Sequence, residues 1–307
     1  MDAGEAMATT GTVAAPAGGR IATLAMDYVR LTKPRVISLL LVTSFCAMVV
    51  ADRGMPDGWL VLWTLLGGYL SAGGANAINQ YVDRDIDAMM RRTNGRPVVA
   101  GRMTPRHALG FGVTLGLVSF VGMGLLVNWL ASALALAGLL LYVFLYTLWL
   151  KRTTIHNIVI GGASGAIPPL VGWAAVTGEV SLAAVLMFAI VFYWTPPHFW
   201  ALALILRRDY TAAGVPMLPV VYGEEATRRQ VLVWTLVLVG VTLLPVVTGD
   251  LGAIYGWSAG ALGALFVAHG VALIRQGEQG PWARRTFTYS LLYLALLFLA
   301  MVIDATT

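Results

Sequence analysis

The run Ser71-Ala-Gly-Gly-Ala-Asn-Ala-Ile-Asn-Gln-Tyr-Val-Asp-Arg-Asp-Ile-Asp87 carries an apolar segment straight into Asn79, Asp83 and Asp87, spaced four residues apart. On a helix, these three side chains share one face, about 6 Å apart in rise and each turned about 40° from the last. Asp85 points about 200° away from Asp83 and is the poorer partner. Carboxylates on one face repel unless something positive lies between them, and a Mg²⁺ ion that also takes oxygens from a substrate phosphate meets that need. The ordinary alternative is a charged loop at a membrane surface pairing Asp with Arg. The i, i+4, i+8 geometry, the polar Asn79 and Gln80, and the following Arg91-Arg92-Thr-Asn-Gly-Arg96-Pro97 favour the chemical reading. Arginine forks suit phosphate oxygens, although Arg91, Arg92, Arg96 and Arg102 could equally anchor the chain to one side of a bilayer.

The elements that position these groups are membrane helices. Of the 307 residues, 58% are hydrophobic and 11% charged, with a mean hydropathy of +0.77. That is too apolar for a water-facing globule. Cys46 is the single cysteine, which excludes a disulfide framework and cysteine-based metal sites. Nine apolar stretches are expected to span: 36–51, 59–80, 107–127, 130–150, 155–176, 182–206, 231–248, 252–274 and 286–303. With the N-terminus inside and the sides alternating, only Arg53 of the 20 Lys and Arg residues falls outside. This is the bias of a cytoplasmic N-terminus. The pI near 9.5 therefore reflects orientation, not nucleic-acid binding. Residues 1–33 read as a disordered cytoplasmic tail without a signal or transit peptide, and 34–307 as one transmembrane domain. The long inside segments 81–106 and 207–230 place the functional groups on the cytoplasmic face.

The word Asn79-Gln-Tyr-Val-Asp83-Arg-Asp-Ile-Asp87, with Met90-x-Arg92-Thr93 and Arg96-Pro97, resembles the first aspartate-rich motif of the UbiA-type membrane prenyltransferases. Its wording is closest to their heme O synthase (protoheme farnesyltransferase) branch. Tyr146-Thr-Leu-Trp-Leu-Lys151-Arg152, Asn157-Ile-Val-Ile-Gly161-Gly162, Trp194-Thr-Pro-Pro-His198-Phe-Trp200 and Asp209-Tyr210 continue the likeness, which covers roughly residues 28–303. The resemblance implies an all-α bundle of nine helices around a central cavity open near the cytoplasm. It also implies Mg²⁺-dependent transfer of an isoprenoid from its diphosphate. Most of the superfamily has a second motif with two or more acidic residues after the sixth span. Here only Asp209 remains, which fits the heme O branch and leaves a second metal short of protein ligands.

On that resemblance Asn79, Asp83, Asp87 and Asp209 are the metal-binding and catalytic set. Lys151 and Arg152 are the first diphosphate contacts, backed by Arg92, Arg96 and Arg208; on spacing alone, Lys151 and Arg152 could as well be snorkelling at the interface. The implied substrates are farnesyl diphosphate and heme B, whose vinyl group attacks the farnesyl carbon before water quenches the porphyrin-side cation. The bilayer and a heme A synthase or oxidase assembly proteins are the implied partners, and a bacterial inner membrane the implied location. Aromatic faces of Tyr142, Tyr146, Phe192, Tyr193, Trp194, Phe199 and Trp200 could shield an allylic cation, or simply pack. His198 follows Pro196-Pro197, which should open the helix at membrane depth. It could then contact heme or be a hydrogen-bonded structural histidine. The second enzymatic reading is transfer to an aromatic quinone precursor, for which the doubled acidic second motif is missing. A transporter would show internal repeats and midplane charges, and neither is found.

Overall fold

The computed structural model describes residues 17–276 and 280–307, with side chains considered from residue 22 onward. Among them there are helices and turns but no strands. The helices are α1 (Ala17–Thr32), α2 (Pro34–Asp52), α3 (Gly58–Val82), α4 (Arg84–Met89), α5 (Pro105–Leu126), α6 (Trp129–Thr153), α7 (Asn157–Thr177), α8 (Leu182–Ile205), α9 (Arg207–Ala212), α10 (Leu218–Val221), α11 (Gly223–Val247), α12 (Ala253–Arg275) and α13 (Trp282–Thr306).

The long helices close a ring in chain order: α2 packs on α3, α3 on α5, and so on through α6, α7, α8, α11, α12 and α13 back to α2. Contacts of α2 with α7 and of α8 with α13 cross the ring. Close approach needs missing side chains. A Cβ on Gly172 of α7 would stand 2.1 Å from Ser44 O of α2, and one on Gly74 of α3 would stand 2.6 Å from Gly112 O of α5. Small residues let helices meet where no hydrophobic force drives them together in lipid. Tyr255, Phe266, Tyr293 and Phe298 fill the core between α12 and α13.

Among the described residues eight helices, not nine, are long and apolar enough to cross a membrane. The exception is α3, 25 residues long, diluted by its glycines and by the Asn76, Asn79 and Gln80 end that the site requires. The segment 1–33 is also not all tail. Residues 1–16 lie outside the described residues, but 17–32 form α1, held because Leu31 is buried with Ala77, Val98, Met103 and Ala108. Asp27 of α1 accepts from Arg102 Nε at 2.9 Å and Nη2 at 3.1 Å. The proline pairs do not interrupt their helices: Pro168-Pro169 lie inside α7 and Pro196-Pro197 inside α8. Packing on both sides keeps such helices whole, and Thr195 Oγ1 bridges back to Val191 O at 2.9 Å.

Candidate active site

The polar end of α3 first builds a turn. Asn76 Nδ2 donates to Thr32 O at 3.0 Å, and Gln80 Nε2 donates to Arg30 O at 3.2 Å and Leu31 O at 3.1 Å. A helix end leaves such carbonyls without partners of its own, so this clamp fixes the end of α1. Lys33 follows in a left-handed conformation, φ 55°, uncommon for a residue with a side chain. Its Nζ then reaches Asn79 Oδ1 at 2.9 Å.

The acidic residues come next. The helix axis breaks at Asp83, which caps α3 and opens α4, so the run is not one straight helix as expected. The i+4 register nevertheless survives, because Asp83 N donates to Asn79 O at 2.9 Å and Asp87 N to Asp83 O at 2.8 Å. Asn79 Nδ2 donates to Asp83 Oδ2 at 2.6 Å and to Thr147 Oγ1 at 3.2 Å. Asp83, fully buried, also accepts from Lys151 Nζ, with Arg152 Nη2 3.5 Å from its other oxygen. Asp87 accepts from Arg96 Nη1 through Oδ2, while its buried Oδ1 has no partner among the described residues. Asp85 faces outward and takes both Arg152 Nη atoms at 2.7 Å, and that guanidinium holds its carboxyl at about 2.

Thr147 sits in a π-helical stretch of α6, Leu141–Leu150, its hydroxyl donating to Tyr142 O at 2.8 Å. The wider turn leads directly into Lys151 and carries Tyr142 and Tyr146, whose rings lie 5.5 Å apart and tilted by 34°. Such segments are frequent at functional sites.

Two buried carboxylates thus lie among three basic side chains, Lys33, Lys151 and Arg96. With Lys33 protonated the surplus is positive. Burial, together with the charges of Arg96 and Lys151, pushes the Lys33 ammonium well below its ordinary range. Burial raises the nearby Tyr210 phenol, against the charge of Arg92. An incoming multiply charged anion would relieve the excess, and Lys and Arg make strong charge-assisted hydrogen bonds to phosphate oxygens.

Not every expected residue joins this cluster. Arg92, Arg208 and Asp209 make no side-chain hydrogen bond or ion pair among the described residues; Asp209 lies in the first turn of α9. No group of three or more His, Cys, Asp or Glu among the described residues is arranged to hold a metal ion. His198 stacks between Trp194, at 4.2 Å, and Phe287, at 4.8 Å, while its Nδ1 meets Ser290 Oγ at 2.7 Å.

Residues 40–298 match the model of the UbiA prenyltransferase family. The chain belongs to that family. Among relatives, it is 57% identical to the protoheme IX farnesyltransferase of Symbiobacterium thermophilum over 281 residues, 91% of this chain and 94% of that one. It is 55% identical to the protein of that name from Roseiflexus sp. over 92% of this chain, yet it spans only 52% of that relative's length. Solved structures share the fold. A digeranylgeranylglyceryl phosphate synthase aligns with a TM-score of 0.76 at 18% identity, over 92% of this chain and 98% of that one. A UbiA homolog from Archaeoglobus fulgidus, bound to DMAPP and Mg²⁺, aligns at 0.65 and 16% identity, over 90% and 99%.

The UbiA-family chain is therefore a multi-pass membrane protein in which Asp83 and Asp87 are buried and paired with basic side chains. The oxygens of Asn79, Asp83 and Asp87 suit a hard cation in kind, and the buried Asp87 Oδ1 is an acceptor without a partner among the described residues. Lys33 is the residue that sequence reasoning missed, since it counted only as one more inside charge. The available signal was Thr32-Lys33-Pro34-Arg35 just before the first span.

Proposed function

We propose that this UbiA-family protein transfers the farnesyl group of farnesyl diphosphate to a vinyl group of heme B, with addition of water, to give heme O. The observation that carries the reading is the array Lys33–Asn79, Lys151–Asp83 and Arg96–Asp87, which sets basic side chains on the residues that resemble the family's first aspartate-rich motif. The relatives named protoheme IX farnesyltransferase, above 50% identity, favour heme over an aromatic quinone precursor as acceptor.

Bond cleavage at the farnesyl C1 leaves diphosphate as the departing anion, and the chain must neutralise it as it forms. Lys151, Arg96 and Lys33 each turn a donor from its resting acid or amide partner toward the diphosphate, with Arg152, Arg92 and Arg208 behind them. Preorganised donors of this kind each contribute about 10²–10³ in rate. Mg²⁺, held by Asn79, Asp83 and Asp87 and joined by Asp209, would supply Lewis-acid neutralisation of the same oxygens. Tyr142 and Tyr146 supply an electron-rich, water-poor wall for the allylic cation. The vinyl carbon of heme B then bonds to C1, and water adds to the resulting cation. His198 is the proposed heme contact through Nε2, since its Nδ1 is committed to Ser290.

Nine spans with a cytoplasmic N-terminus, α3 being the ninth, put the array at the cytoplasmic side of the inner membrane. Membranes carrying the protein, supplied with farnesyl diphosphate, Mg²⁺ and either heme B or 4-hydroxybenzoate, test the acceptor by chromatography and mass of the product. Farnesylation of 4-hydroxybenzoate with heme B untouched would replace this reading by the quinone-precursor one.

A further inference from the structure

At the far end of the ring a second site takes shape. Helix α2, 19 residues long, carries Lys33 before its start and Arg53 after its end, about 30 Å apart along the axis. A cavity of ≈ 350 Å³ lies there, within the size range of small-molecule pockets. Apolar residues such as Val50, Met187, Leu251 and Met301 line it, and Arg53 and Asp250 both border it.

Two features of the cavity are unexplained by packing. Arg53 is the left-handed cap that ends α2, its N–H donating to Val50 O at 3.3 Å. Among the described residues Arg53 makes no ion pair, and Asp250 accepts only from Thr248 Oγ1, at 2.6 Å. Two opposite charges thus border one apolar cavity without pairing. Trp173, another lining residue, has a buried indole N–H with no acceptor among the described residues.

We propose that this cavity binds one phospholipid with a zwitterionic head bearing a primary ammonium. The phosphate lies on Arg53, the ammonium on Asp250, and the first methylenes of an acyl chain on Val50, Met187, Leu251 and Met301. The Trp173 N–H is left to an ester or phosphate oxygen. The charge pattern selects this occupant, because an anionic lipid would answer Arg53 and leave Asp250 repelling the head. A quaternary ammonium lacks the N–H donors that a carboxylate takes. The end of the bundle remote from the catalytic array is also where lipid heads of the second leaflet lie.

The test reconstitutes the full chain in nanodiscs of phosphatidylethanolamine, phosphatidylcholine and phosphatidylglycerol in equal parts. It is then released gently into a mass spectrometer that counts retained lipids. One phosphatidylethanolamine per chain is expected, with retention reduced about tenfold in Arg53→Gln and in Asp250→Asn, the worth of one charge-assisted hydrogen bond. Trp173→Phe, which keeps the ring and removes the donor, is expected to weaken retention less. Prenyl transfer stays at the wild-type level in all three, which certifies their folding. Equal retention of the three lipids, retention unchanged by both charge variants, or no lipid retained would each overturn the proposal.

Discussion

Lys151 Nζ donates to Asp83 Oδ2, tying the C-terminal end of α6 to the junction of α3 and α4 inside the protein. Asp83 is fully buried, so the pair is costly to break from one side only. Removing one partner of such a pair typically costs about 3–5 kcal/mol, whereas removing both leaves no stranded charge. Asp83→Asn and Lys151→Met are each expected to lower the thermal midpoint of the detergent-solubilised protein, and the double variant to regain part of the loss. All three are expected to lose transfer by at least about 100-fold. Additive losses of stability, measured by heat-induced aggregation, would show that the two side chains are not coupled.

Lys33 makes a separate case. Its Nζ is a donor in the array, and its contact is Asn79 Oδ1. Lys33→Gln is expected to fold as wild type and to lose about 10²–10³ in kcat, the effect of one missing donor on a developing anion. Steady-state kinetics with farnesyl diphosphate would decide. A rate within twofold of wild type would remove Lys33 from the site.

Asn76 and Gln80 are expected to act through Lys33. Each buried hydrogen bond to the α1 carbonyls contributes about 1 kcal/mol, and more is lost when the carbonyl is left unpaired. Gln80→Leu should therefore destabilise by about 1–3 kcal/mol and raise KM for the diphosphate more than it lowers kcat. Loss of stability with unchanged KM would mean that the clamp only braces α1.

The docking of α1 should depend on pH. The Arg102 hydrogen bond, opposed by burial and helped by the charges of Arg102 and Arg30, holds the Asp27 carboxyl below its ordinary value. A depressed folded-state pKa stabilises at pH above the unfolded value and loses that contribution as pH falls through the folded one. Protease cleavage within 17–32 is thus expected to accelerate as pH drops below the ordinary carboxylate range, and Asp27→Asn to show fast cleavage already at neutral pH. A cleavage rate independent of pH in wild type would contradict this.

These outcomes also mark what the chain spelled out and what it hid. Asn79, Asp83 and Asp87 were legible because a four-residue spacing fixes a helical face whatever surrounds it, and the face survives even the break at Asp83. The apolar stretches likewise located every long helix of the ring, although α3 is too polar to meet the ordinary standard of a span. Lys33 was hidden because its reach depends on a left-handed turn pinned by Asn76 and Gln80, residues more than forty positions away. The π-helical stretch before Lys151 was hidden as well, since nothing in Leu141–Leu150 distinguishes it from α-helix by composition. Pro196-Pro197 misled for a related reason: a helix packed within a bundle can carry prolines without opening.

The central claim is that the cation-paired aspartates of α3 and α4 carry out farnesyl transfer to heme. The most direct measurement extracts hemes from membranes given deuterated farnesyl diphosphate, heme B and Mg²⁺, comparing wild type with Asp83→Ala. The account requires a labelled heme O peak from wild type and none from the variant at equal protein level. Unchanged heme B with wild type, or labelled heme O formed by Asp83→Ala at the wild-type rate, would contradict it.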